Sequence, residues 1–109
     1  MSENMFVSLN DKTFEKFVNE NRFAIVDFTA PWCGPCKAVG KILEEISKNY
    51  KGKVAFGMLD MQSNPSIAVH LGIMSLPVIM FYKDGKVHCK ITGNVGKSVI
   101  EQKINEMLA

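Results

Sequence analysis

The chain has 109 residues, 47% hydrophobic and 22% charged, with 13 basic against 11 acidic side chains for a net charge of +2. That length and balance read as one domain over residues 1–109 with a core large enough to fold without staples, and they exclude disorder. The small net charge gives no reason to expect nucleic acid or a membrane surface as partner, no apolar run approaches the roughly 20 residues of a membrane helix, and the opening Met1-Ser2-Glu3-Asn4-Met5 reads as no secretory leader.

Phe6-Val7-Ser8-Leu9 reads as a short strand, after which Asn10 or Asp11 is expected to cap a helix carrying Phe14, Phe17 and Val18 at helical spacing. The run Phe23-Ala24-Ile25-Val26-Asp27-Phe28 is apolar but for one acid, which predicts a strand covered on both faces. A helix is expected from about Gly34 to Tyr50, with Val39, Ile42, Leu43 and Ile46 on one face and Gly52 ending it. Lys53 to Asp60 reads as the next strand. Asn64-Pro65 opens a short helix that closes at Leu71-Gly72, proline being suited to a first helical position.

After Pro77, Val78-Ile79-Met80-Phe81-Tyr82 is a strand, Lys83-Asp84-Gly85-Lys86 a hairpin turn and Val87 to Thr92 the antiparallel return. Asn94 to Leu108 reads as a last helix with Val99, Ile100, Ile104 and Leu108 inward. The order βαβαβαββα predicts an α/β fold: a central mixed sheet with helices on both faces, because crossovers between parallel strands must lie over the sheet.

Three cysteines, an odd number, exclude a disulfide framework and leave catalysis, metal or chance. Two of them stand in Trp32-Cys33-Gly34-Pro35-Cys36, just after the buried strand and at the head of the long helix. Cysteines at i and i+3 in a first helical turn are close enough to bridge. Cys33 falls at the helix end, where free N–H groups and the positive end of the dipole stabilise a thiolate, so it is the expected nucleophile. Cys36, one turn deeper, is the expected resolving thiol. Gly34 leaves the approach open, and Pro35 presets a helical φ without costing a hydrogen bond. The rival is a zinc half-site. It needs four ligands, and only Cys89, His70 and His88 remain, none forming a second ligand pair.

Val26-Asp27-Phe28, then Ala30-Pro31-Trp32-Cys33-Gly34-Pro35-Cys36-Lys37, together with Leu76-Pro77, Lys83-Asp84-Gly85 and Gly93, resembles the thioredoxin family from about Asn4 to Leu108. The resemblance implies the thioredoxin fold and a small monomeric cytoplasmic carrier. Such a carrier reduces disulfides in target proteins through a reversible Cys33–Cys36 disulfide and is re-reduced by a thioredoxin reductase. It implies no cofactor beyond that disulfide. It makes Asp27 the buried acid beneath the pair, whose raised pKa suits proton transfer with Cys36. It makes Pro77 a cis-proline facing the disulfide, and Trp32, Gly34, Pro35, Ser75, Leu76, Pro77 and Gly93 the docking surface.

Four positions depart from the family pattern. Thr29 replaces a large aromatic, so a less well packed wall is expected beside the site. Lys41, preceded by Gly40, replaces a helix-kinking proline, so a weaker kink is expected. Met58 replaces a lysine near the buried acid, so Asp27 should have a pKa above the family's usual value. Met74 replaces a more polar residue and makes that edge more apolar.

The remaining signals read as structural. Cys89 is expected to share a face with Val87 and Ile91 as a small hydrophobe, and Met58, Met61 and Met80 to fill core. His70 suits the end of its helix, and His88 is expected in solvent with Lys90, as are Lys48, Lys51 and Lys53. Two other readings stand beside the reductase. One is an oxidant or isomerase of the same fold, against which the Gly-Pro between the cysteines argues. The other is a binding module in which redox activity is incidental.

Overall fold

A computed structural model describes residues 6–109; Met1–Met5, on which the expectation of no leader rests, lie outside the described residues. Five strands, β1 (Phe6–Leu9), β2 (Phe23–Thr29), β3 (Ala55–Asp60), β4 (Val78–Lys83) and β5 (Lys86–Thr92), form one sheet in the order β1-β3-β2-β4-β5. The first two run parallel to β3, whereas β4 is antiparallel to β2 and β5. Four helices, α1 (Phe14–Glu20), α2 (Gly34–Ser47), α3 (Pro65–Leu71) and α4 (Lys97–Leu108), cover the sheet.

The central strand explains why the sequence reads as it does. Ala24, Val26 and Phe28 of β2 point to a core shared with Phe14, Phe17 and Val18 of α1 and Ala68 of α3. Ile25 points the other way, to a core shared with Val39, Leu43 and Ile46 of α2 and Ile100, Ile104 and Met107 of α4. A strand covered on both faces has no solvated side to encode, so its apolar run is continuous. Asp27, two residues on from Ile25, shares its face, which puts a carboxyl beneath α2.

Several expected boundaries move, each for a local reason. Neither Asn10 nor Asp11 caps α1, whose N-cap is Thr13 without a side-chain bond. Asn10 Oδ1 instead accepts the N–H groups of Lys12 and Thr13 at 2.8 and 3.0 Å, a turn that precedes the helix. Asp11 caps α3: its Oδ1 accepts the Ile67 N–H at 3.1 Å, while the Asp11 N–H donates to Asn64 Oδ1 at 3.3 Å. Helix α2 runs unbroken through Gly40 and Lys41 to Ser47 and tightens into a 3-10 turn over Lys48–Tyr50. Lys53 and Val54 donate their N–H groups to Tyr50 O, so β3 opens at Ala55 rather than Lys53.

Helix α4 begins at Lys97, not Asn94, after Gly96 with φ 88°. Its inward residues are Ile100, Ile104 and Met107, spaced i, i+4, i+7; Val99, expected inward, is exposed. At the hairpin, Asp84 (φ 53°) and Gly85 (φ 80°) both take left-handed conformations, as the two-residue turn between twisted strands requires. Phe81 pairs with Cys89 but Tyr82 with Val87, so His88 is an inserted residue in β5. This bulge breaks the expected alternation. Val87 is exposed, while half-buried Cys89 packs with Ile91 against the α2–α4 core.

Candidate active site

Four residues separate the end of β2 from the start of α2, and the turn they make is closed by the Cys33 N–H donating to Ala30 O at 3.1 Å. Cys33 is the N-cap, with extended φ −94° and ψ 104°, and its Sγ accepts the Cys36 N–H at 3.2 Å. The sulfur thus occupies the place of a capping oxygen, against the positive end of the helix dipole. Pro35 sits in the first turn, where no N–H is missed. Cys33 and Cys36 form a disulfide with Cα atoms 5.3 Å apart. Cys33 is 5% exposed and Cys36 1%, so the N-cap sulfur is the outer one. Ala30 and half-buried Leu76 pack against the pair.

The Leu76–Pro77 peptide bond is cis. Pro77 is buried, and its carbonyl accepts the Gly93 N–H at 2.8 Å, which clasps the entry of β4 to the exit of β5. Ser75, Gly34 and Pro35 are exposed, Gly93 is half-buried, and Trp32 lies 71% open to solvent beside Cys33. Met74 is 96% exposed two residues before Leu76, so the apolar edge expected from the sequence is present. Half-buried Thr29 bonds through its carbonyl to the Met61 N–H at 2.8 Å.

Asp27 is buried beneath α2. Burial pushes its carboxyl from 3.8 up to about 7, and Oδ1 has no hydrogen-bond partner among the described residues. Beside it lies a cavity of about 430 Å³ lined by Phe6, Asp27, Lys37, Gly40, Lys41, Glu44 and Met58. Met58 is Asp27's ladder partner on β3 and is exposed at this cavity rather than a core filler, whereas Met80 is buried and Met61 half-buried. Cys36 and Gly40 are four residues apart on α2 and so share a face one turn apart. The acid therefore lies under the turn that follows the disulfide.

Outside this cluster, His70 and His88 are exposed, and among the described residues no group of His, Cys, Asp or Glu side chains could hold a metal ion. Burial pushes the Cys89 thiol up, away from thiolate character. Sequence reasoning gave no role to Gly40 or Phe6 at the cavity. The signal for Gly40 was a glycine inside a helical pattern, four residues after Cys36.

A family model described as Thioredoxin matches residues 5–106. The chain is 38% identical over 104 residues to a thioredoxin of Buchnera aphidicola, covering 94% of this chain and 96% of that one. It is 35% identical over 102 residues to thioredoxin 2 of Chlorobaculum tepidum, covering 93% and 94%. It is also 38% identical over 102 residues to a chloroplastic M-type thioredoxin of Spinacia oleracea, of whose length it spans 56%. With this similarity along nearly its whole length and a disulfide-bonded cysteine pair at the head of α2, the chain belongs to the thioredoxin family of disulfide oxidoreductases.

Proposed function

We propose that the protein carries reducing equivalents to disulfides in other proteins, with Cys33 as nucleophile, Cys36 as resolving thiol and Asp27 as the proton-handling group. The observation that carries this assignment is the asymmetry of the pair. Cys33 is the outer sulfur and already receives a backbone N–H at a helix N-terminus, whereas Cys36 lies deeper on the face that covers Asp27. In the reduced protein the Cys33 thiolate attacks one sulfur of a target disulfide. That S–S bond breaks, and the target's second sulfur leaves as a thiolate and takes up a proton. Cys36 then gives its proton to the Asp27 carboxylate and attacks Cys33 Sγ. The mixed disulfide breaks and the target's first sulfur leaves and is protonated. Two electrons have passed to the target, and the Cys33–Cys36 disulfide is the product. A carboxyl with a pKa of about 7 is poised between its two forms at neutral pH, as a group that accepts and returns one proton should be.

Targets dock on Trp32, Gly34, Pro35, Ser75, Leu76, Pro77 and Gly93; supporting this, Leu76 packs against the cysteine pair and the Gly93 N–H is bonded to Pro77 O. A thioredoxin reductase returns the two electrons, and no bound cofactor takes part. The protein acts as a monomer: the outer strand β5 carries exposed Lys86, His88 and Lys90, side chains that blunt a sheet edge against pairing. A cytoplasmic location belongs to the same proposal, since free Cys89 fits a compartment that keeps thiols reduced. Insulin reduction with dithiothreitol as electron source tests the function. The protein should speed precipitation of the insulin B chain, and Cys33→Ser should abolish the effect. No acceleration over the reagent alone would favour a binding module.

A further inference from the structure

Helix α2 contains a glycine that packing does not demand. A Cβ added at Gly40 would meet nothing closer than Asp27 Oδ2 at 3.9 Å, an ordinary contact, and the backbone there is not left-handed. Alanine is the better helix former at such a position. What glycine leaves is space beside the carboxyl of Asp27, continuous with the cavity between α2, β1 and β3. That cavity is roomy enough for water and Asp27 forms part of its wall; Oδ2 is the carboxyl oxygen nearest Gly40, while Oδ1 is closed off and has no protein partner among the described residues. At its mouth stand the exposed side chains of Lys37, Lys41 and Glu44.

We propose that Gly40 is a positioning residue for the proton step: its missing side chain keeps the Asp27 carboxyl in contact with solvent between α2 and β3, so protons reach Asp27 from this side and need not pass the disulfide. The inference rests on the reading of Asp27 as the proton-handling group. It also assigns the cavity a use: it separates the route of the proton from the surface that a docked target covers. The groups facing Asp27 leave few rivals for control of its charge. On α2 these are Lys37, Lys41, Glu44 and, one turn earlier, Cys36. Its ladder partners on β3 and β4, Met58 and Ile79, do not titrate, and neither does Phe6 of β1.

The test is a titration of the Asp27 carboxyl carbon by NMR in the oxidised wild type, Gly40→Ala and Gly40→Leu. Ala38→Leu, on the exposed side of α2 and outside the cavity, serves as control. Progressive loss of solvent should raise the midpoint in the order glycine, alanine, leucine, by about half a unit or more for leucine. The control should match wild type. The pH profile of the release step, in which Cys36 frees a bound target, should move with the midpoint, and formation of the mixed disulfide in a Cys36→Ser background should not. An unmoved midpoint in both Gly40 variants overturns the proposal, as does an equal shift in Ala38→Leu. If the leucine variant does not fold, Gly40→Ala alone decides. Asp27→Asn separates the two ideas: if it leaves the pH profile of release unchanged, the role of Asp27 fails, while the midpoints still decide what Gly40 does.

Discussion

Replacing Asp27 by asparagine removes the one buried carboxyl group among the described residues and leaves its shape. In the folded protein burial moves this carboxyl from 3.8 to about 7. The folded state therefore holds a proton that the unfolded chain releases between those two values. Wherever the folded state binds more protons, stability falls as pH rises. The contribution is fully present below about pH 4, declines through the window and is lost above about pH 7. Just over three pKa units at about 1.4 kcal/mol each amount to about 4 kcal/mol. Asparagine cannot ionise, and any constant offset from its amide cancels when only the pH dependence is compared. Every other side chain is the same in both proteins, so the remaining contributions cancel in the comparison. Urea unfolding of the two oxidised proteins at steps between pH 4 and 8 measures the difference. The gap should widen in favour of Asp27→Asn by about 4 kcal/mol over that range. Parallel stability curves would show that burial does not raise this pKa, and the reasoning about the proton step would fall with it.

Three further substitutions probe the surroundings. Met58→Lys places an ammonium across the ladder from Asp27, so the carboxylate gains a partner and its midpoint should fall from about 7 by about one unit or more; an unmoved NMR midpoint would mean that the lysine head turns to solvent. Gly57→Ala puts a Cβ 2.7 Å from Leu9 Cδ1 and 3.0 Å from Phe17 Cε2, and the overpacked core should lose about 1–3 kcal/mol in urea unfolding, with wild-type stability as the contrary result. Asp11→Ala frees the Ile67 N–H at the start of α3 and should cost about 1 kcal/mol, with faster amide exchange in α3 and none of the fraying in α1 that a cap of the nearer helix would produce.

Much of this was legible because the relevant signals are local. The two-sided burial of β2, the Lys83–Lys86 turn and the cysteine pair at a strand-to-helix junction each follow from a short run of residues, and each holds in the structure. What escaped depends on distant partners. Asp11 stands where a cap for α1 is natural, yet its acceptor serves a helix more than fifty residues away, which no spacing rule encodes. Met58 looks like core by composition but borders an open cavity that Lys37, Gly40 and Lys41 of α2 also line. Val87 and Cys89 alternate on paper, and a single inserted residue, His88, separates them. The site itself was read more fully than its surroundings. A thiol pair announces its chemistry in sequence, whereas the hydration of a buried acid is a property of the space around it.

The central claim is the division of labour between the two sulfurs, and covalent trapping measures it directly. Cys36→Ser and Cys33→Ser variants are mixed with a protein disulfide substrate and resolved without reductant. Cys36→Ser should accumulate a mixed disulfide through Cys33 because the resolving thiol is missing, and Cys33→Ser should accumulate none. Equal trapping by both variants, or trapping only through Cys36, would contradict the account.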